Sequence, residues 1–168
     1  MKALATAAAI VLSLTAAASH AADGTITING ALTANTCSIN NGSSADITVS
    51  LPTVSASSLQ SAGQTAGSTR FSIQLSNCTA SVAQTYFEAG PNISDSGNLR
   101  NNGSASNVEV QLLNNQGQVI NLQNNSNSQQ MNIVAGGASL DYYAQYYATG
   151  QSSAGSVSSS VKYTITYN

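Results

Sequence analysis

Apolar and polar residues alternate one for one over two stretches that bracket the chain. The first is Thr25-Ile26-Thr27-Ile28-Asn29-Gly30-Ala31-Leu32 and the second is Val161-Lys162-Tyr163-Thr164-Ile165-Thr166-Tyr167-Asn168. A period of two places one residue class on each face of an extended chain, as in a half-buried β-strand. Between them, shorter runs bounded by Gly, Asn, Ser and Pro predict further strands at residues 32–39, 46–51, 70–76, 85–89, 108–112, 119–122, 131–133 and 140–148, with the last strand spanning 157–167. Asn114-Asn115-Gln116-Gly117 predicts a hairpin turn joining 108–112 to 119–122. Residues 55–64 hold at most one helical turn, and the Asn/Ser tract at 121–130 is short enough for a surface loop. Strands at this spacing predict an all-β sandwich in one domain. The final strand has no turn or partner after it, so an unpaired edge and self-association are expected.

One point stays open on pattern alone. Asn29-Gly30 between apolar residues is a strong hairpin signal, which would fold 25–28 onto 31–33. A single continuous strand is equally consistent, and it would set Ile26, Ile28, Gly30 and Leu32 on one face, with a notch at the glycine.

Composition changes the picture in two ways. Met1-Lys2, an Ala-rich apolar run and the small residues of Ser19-His20-Ala21 have the form of a cleavable export signal, residues 1–21, with the cut after Ala21 or Ala22. About 147 of the 168 residues would remain, enough for one domain with its own core. Charged residues make up only 6% of the chain, whose formal net charge is −2. With Lys2 removed, Arg70, Arg100 and Lys162 face six scattered acids, too weak a field to steer nucleic acid or an anionic membrane. Low charge also leaves little electrostatic protection for an open strand edge.

Catalytic chemistry is sparse. The single histidine, His20, falls in the export signal, and no nucleophile motif, phosphate loop or paired-carboxylate motif is present. No cofactor and no metal are expected. The two cysteines of an exported chain, Cys37 and Cys78, predict one disulfide, which in the chain-entropy account restricts the unfolded state by roughly 4 kcal/mol. Tyr142, Tyr143, Tyr146 and Tyr147 could form a sugar platform, but alternate burial with cross-strand packing is the simpler expectation for a strand.

The run from Gly24 through Leu32 towards Cys37 resembles major subunits of chaperone–usher pili of the type 1 fimbrial family. The resemblance continues through Phe71-Ser72-Ile73-Gln74-Leu75-Ser76-Asn77-Cys78, then Ser106 to Leu113, Tyr146-Tyr147-Ala148-Thr149-Gly150, and a penultimate Tyr167. It implies an incomplete immunoglobulin-like β-sandwich lacking its last strand. Residues 22–33 would be an N-terminal donor-strand extension and residues 34–168 the pilin domain. It further implies that Ile26, Ile28, Gly30 and Leu32 are donor side chains filling a neighbour's groove, and that Val161, Tyr163, Ile165 and Tyr167 flank the receiving groove. The implied partners are identical pilin subunits, a periplasmic pilus chaperone, an outer-membrane usher and a tip adhesin, in a cell-surface pilus supporting adhesion and biofilm formation. Under this resemblance Asn29-Gly30 belongs to a continuous strand. The other readings are a minor or adaptor pilus subunit and a secreted monomeric β-sandwich binding module.

Overall fold

The computed structural model describes residues 26–31 and 36–167. The export signal, Thr25 and Leu32 lie outside the described residues. The chain divides into two units, residues 1–33 and 34–168. In the first, residues 26–31 are exposed, with Ile26 and Ile28 at 90% and 89% of full accessibility.

Among its described residues the second unit has eight strands: β1 (Ser38–Ile39), β2 (Thr65–Ser76), β3 (Val82–Phe87), β4 (Leu99–Arg100), β5 (Val108–Asn114), β6 (Gln130–Asn132), β7 (Ala138–Ala148) and β8 (Tyr163–Tyr167). They form a five-stranded sheet in the order β1-β2-β7-β5-β4 and a three-stranded sheet in the order β6-β3-β8, with every pairing antiparallel. β7 lies between β2 and β5, so its inward side chains reach the middle of the core. Register sets Leu140 opposite Ile73 and Ala144 opposite Leu112. Ile73, Ile120, Leu122, Leu140 and Tyr142 are all but inaccessible, and Phe87 and Ile165 from the smaller sheet complete the same cluster. The Tyr142 ring lies 5.5 Å from Phe71 and 5.7 Å from Phe87, which links the two sheets.

The tyrosine run divides by parity. Tyr142 is buried and Tyr146 packs on a second cluster with Leu59, Val108 and Ala148, while Tyr143 and Tyr147 sit cross-strand from Arg70 and Thr65. β2 starts five residues before the expected strand, across a bulge between Ala66 and Thr69. Gly67 turns there at φ +67, and a Cβ at that position would press on the Tyr146 ring at 3.0 Å. The expected hairpin after β5 keeps its turn, a bridge between Leu113 and Val119, and the Ile120 N–H donating to Leu112 O at 2.9 Å, while the Ile120 and Leu122 side chains are buried in the core. The helical turn expected within 55–64 is a 3₁₀ turn at Ala56–Ser58, capped by the Ser55 hydroxyl, which accepts from the Ser57 N–H.

Cys37 and Cys78 form the disulfide, with a Cα–Cα distance of 4.1 Å, and tie the start of β1 to the end of β2. The Asn/Ser tract is structural. Asn125 holds Phe87 at both backbone groups, accepting from its N–H at 2.7 Å and donating to its carbonyl at 2.9 Å. The Ser128 hydroxyl donates to the Thr85 carbonyl. Between them these side chains continue, past β6, the edge of β3 that faces away from β8.

Candidate strand-acceptor cleft

Residues 47, 49 and 51 are half-buried apolar groups, and residues 46, 48 and 50 between them are exposed. The alternation of a strand is therefore present, but no strand forms. Among the described residues, no backbone hydrogen bond holds residues 47–51 on either side. The same holds just before β8. Val157, Ser159 and Val161 point inward, and their backbone groups make no hydrogen bond. The intervening residues face the opposite way and are paired, since Asn102 N–H donates to Ser158 O and Glu88 N–H donates to Lys162 O. β8 itself pairs only with β3.

These two segments wall an open cleft of about 1180 Å³. Its floor is the interior of the sandwich, lined by Phe71, Ile73, Phe87 and Leu112. The walls come together at one point, where the Tyr163 hydroxyl donates to Ala45 O at 2.5 Å. Burial, with the Asp46 carboxylate as a second cause, holds the Tyr163 phenol above its ordinary pKa. The buried Ser159 hydroxyl in the wall has no hydrogen-bond partner. The cleft thus offers an apolar slot with unpaired backbone on both rims and no charged group at its floor. Its chemistry suits an extended chain with apolar side chains on alternate residues.

Val161, Tyr163, Ile165 and Tyr167 all line this cleft. Ile26, Ile28 and Gly30 belong to the other unit, and Leu32 is outside the described residues. Ile47, Val49, Leu51, Val157 and Ser159 also line it and were not singled out from the sequence as groove residues. The signal for four of them was available in the alternation of 46–51 and 157–167. Ser159 shares the parity of Val157 and Val161, but as a polar residue it carried no apolar signal of its own. Among the described residues no helix is long and apolar enough to cross a membrane, and no group of acidic, histidine or cysteine residues could hold a metal.

Residues 51–168 match the family model described as FimA, type-1 fimbrial protein A. The chain is 45% identical to the major fimbrial subunit SMF-1 of Stenotrophomonas maltophilia (strain K279a) over 162 residues, covering 90% of this chain and 96% of that protein. It is 44% identical to the F17 fimbrial protein of Escherichia coli over 174 residues, covering 94% and 96% respectively. Two solved structures share its fold. One, of a chaperone–usher pilus, has a TM-score of 0.63 at 22% identity and covers 88% of this chain and 96% of its own. The other, the P pilus rod subunit PapA, has a TM-score of 0.61 at 19% identity and covers 79% and 99%. The sandwich is accordingly of the incomplete immunoglobulin-like kind. The chain belongs to the type-1 fimbrial protein family, as a structural subunit of an extracellular pilus and not as an enzyme.

Proposed function

We propose that subunits join head to tail, with residues 26–32 of one copy entering the cleft of the next as an added β-strand. The single observation behind this reading is the pair of cleft walls that have inward apolar side chains and no backbone partners. A strand laid between them would satisfy both rims at once. Ile26, Ile28 and Leu32 would enter the core, each contributing roughly 1.5–3 kcal/mol when fully desolvated. Gly30 on the same parity would leave room for a bulky side chain of the cleft. Donor and acceptor are different surfaces, so the contact repeats along a fibre and does not close as a dimer.

On this reading residues 1–21 are the export signal, 22–33 the donor extension and 34–168 the pilin domain. Before assembly the open cleft needs a temporary strand, which a periplasmic pilus chaperone would lend and an outer-membrane usher would exchange for the next subunit's extension. A tip adhesin would occupy the end of a fibre that serves adhesion and biofilm formation.

The test uses the exported chain without its signal and a synthetic peptide of residues 24–33. The peptide should raise the melting temperature and, in excess, shorten the fibres seen by electron microscopy. A peptide carrying Ile28→Asp should do neither. The full chain with Gly30→Leu should form no fibres yet still bind the unaltered peptide. A chain that stays monomeric and melts at the same temperature with or without peptide would overturn the reading.

A further inference from the structure

The chain contains three Asn-Gly pairs, Asn29-Gly30, Asn41-Gly42 and Asn102-Gly103, and the structure sets them in three different states. In such a pair the backbone nitrogen of the glycine can attack the Asn side-chain carbonyl, because no Cβ on the following residue obstructs ring closure. The reaction needs that nitrogen free of hydrogen bonds and the Asn backbone free to rotate.

Asn102-Gly103 meets neither condition. The Gly103 N–H donates to Asn101 Oδ1 at 2.8 Å, and the Asn102 N–H donates to Ser158 O at 2.8 Å. The Asn102 side-chain amide donates to Asn92 Oδ1 at 3.3 Å, and the backbone of Ser156 crowds Gly103 so closely that a Cβ there would lie 2.2 Å from its carbonyl oxygen. Asn41-Gly42 is exposed but fixed in a turn. Asn41 is held at φ 55 and ψ 32, Gly42 is at φ +78, and Ser43 N–H closes the turn onto Asn40 O at 3.1 Å. At Asn29-Gly30 both residues are exposed, a Cβ on Gly30 would meet nothing within 4 Å, and neither residue has a hydrogen-bond partner among the described residues.

We infer that Asn29 is a site of spontaneous deamidation that acts on the subunit before it assembles. The Gly30 backbone nitrogen gives up its proton and bonds to Asn29 Cγ; the Cγ–Nδ2 bond breaks and the amide nitrogen leaves as ammonia. Water then opens the five-membered imide at either carbonyl, leaving aspartate or isoaspartate. Isoaspartate routes the main chain through the former side chain and lengthens it by one methylene. Residues after position 29 then fall out of step with Ile26 and Ile28. The consequence for assembly rests on the donor-strand reading above, since a strand whose two halves differ in register cannot fill one slot. In a fibre the same backbone would be held in a ladder and the reaction suppressed, so unassembled subunits age while assembled ones keep.

The experiment incubates the signal-free Gly30→Leu chain and the unaltered chain, the latter both as dilute subunit and as fibres, at mildly alkaline pH. Peptide mapping by mass spectrometry, with isoaspartate labelled by an isoaspartyl methyltransferase, follows all three sites. In dilute unaltered subunit, Asn29 should convert roughly tenfold or more faster than Asn102, with Asn41 between them, and Gly30→Leu should slow Asn29 by a similar factor. Equal rates at the three sites, or conversion led by Asn102, would overturn the site assignment. Conversion at Asn29 that runs as fast in fibres as in dilute subunit would overturn the link to assembly, and the site ranking in the dilute arm separates that failure from the first.

Discussion

Tyr142 carries its phenol into the core, where the hydroxyls of Thr85 and Ser128 stand close enough to act on it electrostatically but neither makes a well-formed hydrogen bond with it. Burial pushes the phenol up to about 12 from an ordinary value near 10. The folded chain therefore holds its proton where the unfolded chain has lost it. Stability from this group is fully present below about pH 10 and drains away as the pH rises towards about 12, by an amount on the order of 2 kcal/mol. Tyr142→Phe should remove this alkaline loss. At neutral pH it should cost little, because the hydroxyl it deletes makes no hydrogen bond. Urea unfolding at pH 7 and pH 11 checks both halves, and an unchanged alkaline loss in the variant would show that another group is responsible. The sequence predicted that these tyrosines alternate between core and cross-strand packing, and the fold shows that Tyr142 is the one buried. The state of the hydroxyl was not legible, because it depends on Thr85 and residues near 128, which are distant in the chain and meet only in the fold.

At the scale of elements, the alternation of side chains and the pairing of backbones separate. Residues 46–51 and 157–161 keep the alternation and lack the ladder, since a strand exists only with a neighbour to bond to. This is why their inward faces could be read from the sequence while their unpaired state could not. β4 was missed for the opposite reason: two residues, Leu99 and Arg100, are too few to show a period, and they are recruited by β5. The early part of β2 was missed because Gly67 and small polar residues hide a strand that only its bulged pairing with β7 reveals. The amides of Val157, Ser159 and Val161 should exchange hydrogen rapidly in the Gly30→Leu chain, while those of Ile73 and Leu140 are protected. Adding the peptide of residues 24–33 should slow at least part of this row by roughly a hundredfold. Fast exchange that persists with the peptide bound would mean that it binds elsewhere.

For the whole molecule, the disulfide and the cleft are linked. Cys37–Cys78 closes a span of 41 residues that includes the 46–51 wall, which no backbone hydrogen bond secures. Replacing both cysteines with serine should lower the unfolding free energy by as much as about 4 kcal/mol in the chain-entropy account. The loss should be larger for a subunit with an empty cleft than for one carrying the peptide, because an added strand would fix the same wall a second way. Thermal melts of both forms, with and without peptide, measure the difference; equal losses would separate the bridge from the cleft. The all-β class and the paired cysteines were legible from the sequence, and Val161, Tyr163, Ile165 and Tyr167 were named through the resemblance; that residues 46–51 form the facing wall emerged only once the chain was folded.

Asn125 and Ser128 give the smaller sheet a direction. On that side its margin is closed by a carboxamide and a hydroxyl standing in for a strand, and it ends in three-residue β6. The smaller sheet thus offers a neighbouring copy few free backbone groups there, so widening on that side is discouraged. If copies join through the cleft as proposed, a chain with so few charges would rely on this closed margin, and not on repulsion, to keep growth off that edge.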